Sequence, residues 1–160
     1  MEVFFSITEK LSRYMQWIAG AALIFIMLLT VADVAMRLFG HPVVGTYEMV
    51  GLGGAVVIGF ALPITSWLRC HIFVDFFIQS LSAFWKGVFD VGTRIVCFCL
   101  FVLIGYNLLL YAGELYKSGE VTATRQLPFY PVAFGMGFCC FIQCLVLISD
   151  VLKIAGGRYE

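Results

Sequence analysis

The chain has 160 residues, of which 62% are hydrophobic and only 12% charged, and its formal net charge is zero. A soluble domain carries about 25% charged residues, and a soluble fold of this length could not hide so much apolar surface, whereas a bilayer accepts it. The balanced charge offers no basic field for nucleic acid, and the length fits one domain (1–160) without low-complexity segments or fixed-period repeats.

Four stretches contain no Asp, Glu, Lys or Arg: 14–32, 49–68, 95–113 and 126–149. About 20 apolar residues cross the hydrocarbon core as a helix. A spanning segment must satisfy its own backbone polar groups, and unbroken apolar runs exclude the short alternating strands of a barrel. The expectation is an all-α membrane protein with four transmembrane helices, at about 14–36, 48–68, 88–114 and 127–151. The first run is too long for a signal-peptide core and has no A-x-A site after it, so it is expected to be retained.

At the end of the first run stand Asp33 and, four residues on, Arg37; Glu48 opens the second. A carboxylate inside a membrane is costly, so it marks either a proton or ion site or a structural pair. Arg37 lies in pairing range of Asp33, and Glu48 is a candidate third member. Gly51, Ala55 and Gly59 recur at steps of four, with Gly54 beside them. Such spacing lets helix backbones approach closely, within the chain or against another subunit. Pro63 is expected to bend the second helix.

Between the second and third runs, His71, Asp75, Gln79, Ser82, Lys86, Asp90 and Arg94 form a polar stripe at steps of three or four, interleaved with Phe, Ile, Leu and Trp. That pattern predicts an amphipathic interfacial helix over about 71–85, apolar face down. His71 and Asp75, Lys86 and Asp90, and Asp90 and Arg94 are spaced to pair. The segment reads either as a brace for a partner or as a solvated connector.

The fourth run begins with Pro128 and Pro131, tolerated where a helix starts. Asn107 and Gln143 are the only uncharged amides deep in the spans. Five of the six cysteines (Cys97, Cys99, Cys139, Cys140 and Cys144, but not Cys70) lie in apolar runs, where thiols behave as small inert hydrophobes, and their spacing matches no zinc site.

With both termini on one side, that side carries Lys10, Arg13, Arg69, Lys86, Arg94, Lys153 and Arg158, and the other only Arg37, Lys117 and Arg125. The positive-inside rule then places both termini in the cytoplasm. His41 and His71 fall on opposite sides, which excludes a haem held by both. No nucleophile triad, phosphate loop or HExxH occurs, so no enzyme is expected. A four-helix disulfide–quinone enzyme would need cysteines in the external loops, 37–47 and 114–125, which have none. A self-contained homodimeric transporter would need polar groups in the bundle centre, where only the two amides stand.

Three segments in order carry a resemblance: RLFGHPVVGTYE at 37–48, HIFVD at 71–75, and GEVT at 119–122 followed by LPFYP at 127–131. Together, at their spacing relative to four spans, they resemble the small membrane subunit of tripartite ATP-independent periplasmic (TRAP) transporters, the DctQ-like family. The resemblance covers nearly the whole chain. It implies a bacterial or archaeal inner-membrane protein that pairs with a large membrane subunit (M-type) and works with a periplasmic substrate-binding protein. The large subunit would hold the sodium and organic-acid sites and move as an elevator, leaving this chain as a scaffold with no cofactor of its own. The residues read from spacing and position as candidates for partner contact or structural pairing are Asp33, Arg37, Glu48, Gly51, Ala55, Gly59, His71, Asp75, Lys117, Glu120 and Arg125.

Overall fold

The computed structural model describes residues 2–68 and 83–155. Four helices account for most of them: α1 (Glu2–Leu38), α2 (Thr46–Trp67), α3 (Ala83–Ser118) and α4 (Tyr130–Ala155). Each contains a stretch long and apolar enough to cross a membrane. The protein is therefore an all-α membrane protein. The expected interfacial helix, with His71 and Asp75, lies outside the described residues up to position 82; 83–85 open α3.

The helices form an open row in the order α1, α2, α4, α3. α1 packs along α2, α2 along α4 and α4 along α3, while α1 touches α4 lightly and α3 makes no extended contact with α1 or α2. Half of the most apolar stretch of α4 is buried, against 11% for α1 and for α3. The two edge helices thus keep wide apolar faces outward, which suits lipid or another membrane protein and not water. At 1.5 Å per residue, the 37 residues of α1 reach about 55 Å, well beyond a hydrocarbon core of about 30 Å. The excess includes the charged turn of Glu9, Lys10 and Arg13.

Close approach in the row is made by glycine, though not along one stripe. A Cβ on Gly59 would strike the Met136 sulfur, and one on Gly53 would strike Ile26. Gly105 and Gly137 face each other across α3 and α4, where a Cβ on Gly105 would lie 3.1 Å from Cys140 Cβ and 3.5 Å from the Gly137 carbonyl oxygen. Gly51 and Gly54 have open space around them. The Gly51–Ala55–Gly59 series therefore divides: Gly59 is buried against α4, Ala55 is half-buried, and Gly51 is exposed. The expected stripe missed Gly53 because its partner residue, on α1, carries no small-residue signal of its own.

Hydroxyls and amides in the spans close on their own helices. Thr30 donates to the Ile26 carbonyl, Thr65 to Ala61, Ser149 to Leu145, and the Asn107 amide to Leu103 at 2.8 Å. These i−4 bonds make polar side chains tolerable in hydrocarbon without a partner helix. The Ser12 hydroxyl is buried without a hydrogen-bond partner, and Gln143 reaches a neighbouring helix. Gln143 is buried in α4 and donates to the Ser66 hydroxyl of α2, tying the two central helices by a polar contact. α2 stays helical through the buried Pro63.

Candidate functional site: the two-loop end of the bundle

The loops α1–α2 and α3–α4 meet at one end of the row, and two carboxylates organise them. Asp33 sits in the last turns of α1 and is only 5% exposed. Its Oδ2 accepts from Arg37 Nε at 2.9 Å and pairs with the same guanidinium's terminal nitrogen at 2.8 Å. Its Oδ1 accepts the Val43 backbone N–H at 2.9 Å. One acid thus neutralises a cation one turn on and fastens the loop that leads into α2. The turn between is made by Gly40, at a positive φ of 76°, a conformation that glycine adopts without steric cost.

Glu48 does the same for the other loop. Its Oε1 accepts the Thr124 N–H at 2.7 Å and its Oε2 the Arg125 N–H at 3.0 Å. Arg125 then turns its side chain back, donating from Nε to the Val44 carbonyl at 2.8 Å. Gly45 caps α2 at a φ of 80°, and a Cβ there would collide with the Arg125 side chain. Glycine is demanded twice at this position, by the backbone and by the neighbour. Within the second loop, Thr122 and Leu127 exchange backbone contact through an N–H to carbonyl bond of 2.9 Å, and the Thr122 hydroxyl accepts the Leu127 N–H at 3.0 Å. An isolated antiparallel bridge joins Val121 and Pro128. That bridge draws 127–129 into the loop, so α4 begins at Tyr130, later than the expected start at 127, with Pro131 in its first turn.

The sequence-derived candidates therefore separate into two groups. Asp33, Arg37, Glu48 and Arg125 are joined through the 43–46 segment into one hydrogen-bonded latch. Lys117 and Glu120 are exposed and belong to its rim. Asp33 and Glu48 do not pair through a shared cation; each holds a different loop, and the contact between their clusters runs through Val43, Val44 and Arg125. Glu48 gains its partners from positions 76 and 77 residues away, which no local spacing displays.

One pair was missed. Arg94 of α3 and Asp150 of α4 stand 3.6 Å apart at the opposite end of the row, with side chains only 11% and 7% exposed. The signal for it was present: Arg94 directly precedes the third uncharged run and Asp150 directly follows the fourth, so on antiparallel helices they reach the same depth. Helical spacing also offers Asp90 for Arg94, and the Asp90 side chain lies outside the described residues. Among the described residues, no group of three His, Cys, Asp or Glu side chains could hold a metal. Cys139, Cys140 and Cys144 are buried free thiols, and Cys97 and Cys99 exposed ones.

A family model described as "Tripartite ATP-independent periplasmic transporters, DctQ component" matches residues 26–156. No curated protein and no solved structure matches the chain. The matched region takes in both acids and both loops of the latch and three of the four helices entire. With most of its length covered by that match, the chain belongs to the DctQ family, the small membrane component of TRAP transporters.

Proposed function

We propose that this chain is the stationary brace of a TRAP-type importer. It pairs with the large membrane subunit, which takes up an organic acid on a sodium gradient after delivery by a periplasmic binding protein. The complex sits in a bacterial or archaeal inner membrane, with both termini of this chain in the cytoplasm. The observation that carries the reading is how the polar groups of the described spans are used. Asp33 is held by Arg37 and Val43, Gln143 by Ser66, and Asn107 and the threonines by their own helices. A transported anion must trade its hydration for protein donors, and each of these side-chain donors already has a partner within the chain. The outward faces of α1 and α3, by contrast, are apolar and broad, as a brace requires.

At the outer end the latch holds two loops as one platform, and Lys117 and Glu120 on its rim face the side from which a binding protein would dock. Rim charges steer encounter more than they fix affinity. The purified chain in liposomes, with a sodium gradient and ligand-loaded binding protein, should give no uptake above empty liposomes; co-reconstituted large subunit should restore it. In that restored system Lys117→Glu should slow uptake severalfold at low binding-protein concentration and little at saturation. Uptake by the chain alone would replace the brace by a self-contained transporter, and a Lys117 defect that saturation fails to relieve would remove the docking role.

A further inference from the structure

At the end of the row away from the latch, a groove of about 510 Å³ opens between α1 and the last turns of α2. Arg13, Gln16, Trp17 and Gly20 line it from α1, and Ile64 and Leu68 from α2. The four α1 residues share one helix face, since steps of three and four return to the same side. Their order along the axis is graded. Arg13 is the last charged residue before the uncharged run that starts at position 14. Gly20 lies seven residues deeper, about 10 Å at helical rise. The groove therefore straddles the boundary between headgroups and hydrocarbon, cationic and amide-bearing at its mouth, apolar at its floor.

Three further features suit a lipid. Trp17 is 75% exposed, at the level where indole rings anchor in the interface. A Cβ on Gly20 would meet nothing within 4 Å, so the space beside it is open to an acyl chain. Arg13 makes one exposed ion pair, to Glu9 at 2.8 Å. A pair of that kind contributes little, and a guanidinium has five N–H donors, so Arg13 can bind a phosphate as well. Lys10 is exposed one turn away on the same side of α1 and adds positive charge. The volume matches that of sites which bind small ligands, about 300–1,000 Å³.

We infer that this groove binds one anionic phospholipid, with its phosphate on Arg13, its glycerol beside Gln16 and Trp17, and one chain along Gly20, Ile64 and Leu68. The inference does not rest on the transport reading: it needs only that α1 and α2 cross a membrane. It gives the chain a lipid-dependent seam at the base of its α1–α2 pair.

Native mass spectrometry of the full chain, released from mixed micelles containing equal phosphatidylglycerol and phosphatidylcholine, reads this directly. One retained phosphatidylglycerol is expected, favoured about tenfold over phosphatidylcholine. Arg13→Gln should reduce its retention about tenfold, the scale of one charge-assisted hydrogen bond. Gly20→Phe should abolish it by filling the chain path. Both positions are exposed, and unchanged helicity by circular dichroism would show that the variants fold. Equal retention of the two lipids, indifference to Arg13→Gln, or displacement of the adduct by inorganic phosphate would each overturn the proposal. So would a photo-crosslinker at position 20 that, in intact cells, attaches to protein instead of lipid.

Discussion

At the residue scale, the two acids of the latch act as acceptors for backbone donors that the loops cannot satisfy themselves. A carboxylate is acceptor-only, with two oxygens, and each oxygen of Glu48 takes a different N–H. Glu48→Gln keeps the shape but places an NH2 donor against one of those donors. The α3–α4 loop should then open more often. Amide exchange at Thr124 and Arg125 should rise about tenfold or more, with helix content unchanged. Protection equal to the parent's would show that the loop is held by Thr122 and the Val121–Pro128 bridge alone. Gly45→Ala is expected to be worse than its chemistry suggests. The left-handed backbone costs about 1–2 kcal/mol for a residue with a Cβ, and the Arg125 side chain must also leave. These positions were legible as residue types, a carboxylate and a glycine at a span start. Their partners were not, because those stand 76 or more positions away.

At the element scale, the row is joined by two kinds of contact: glycine-lined approach, and polar ties between α2 and α4 and between α4 and α3. The Arg94–Asp150 tie is the one most open to test. Two charges removed from water cost several kcal/mol each, and their attraction repays this only while both are present. Asp150→Asn should destabilise the chain by about 3 kcal/mol in a denaturant titration in micelles, because it removes the charge of one member of a buried pair. The double replacement Arg94→Met with Asp150→Leu should recover most of that loss. Additive losses in the double variant would mean that the two side chains act independently. The existence and order of the helices followed from charge-free run length, since about 20 apolar residues match one helical crossing and a lone segment in lipid must satisfy its own backbone polar groups. Their lateral order did not, because the apolar faces of α1 and α3 look the same in sequence whether lipid or a neighbour covers them.

At the scale of the whole molecule, the ends of the row have different characters. One end closes two loops into a latch; the other carries Lys10 and Arg13 of α1, the Arg94–Asp150 pair and the groove. The excess of Lys and Arg at that second end predicts that it faces the cytoplasm. Single cysteines placed at Ser6 and Ser118 in a cysteine-free background should report this. A membrane-impermeant maleimide added to spheroplasts should label position 118 and leave position 6 unlabelled until the cells are lysed. The opposite pattern would invert the protein and move the latch to the inside.

The sequence by itself determined that this is a membrane protein, that it has four spans, and that its charges gather near their ends, because the transfer cost of a charge into hydrocarbon leaves few alternatives. The ordered motifs at 37–48, 71–75, 119–122 and 127–131 were enough to indicate the family that the match over 26–156 establishes. Only the tertiary structure decided which helices sit in the middle of the row, that Glu48 fastens a loop from the far half of the chain, that Gly59 is packed while Gly51 is not, and that Arg94 answers Asp150. The physical reason is common to all four. Hydropathy fixes the depth of a residue in the bilayer, which is one coordinate, whereas packing depends on rotation about each helix axis and on lateral order, and a row of apolar helices leaves little trace of either in its composition.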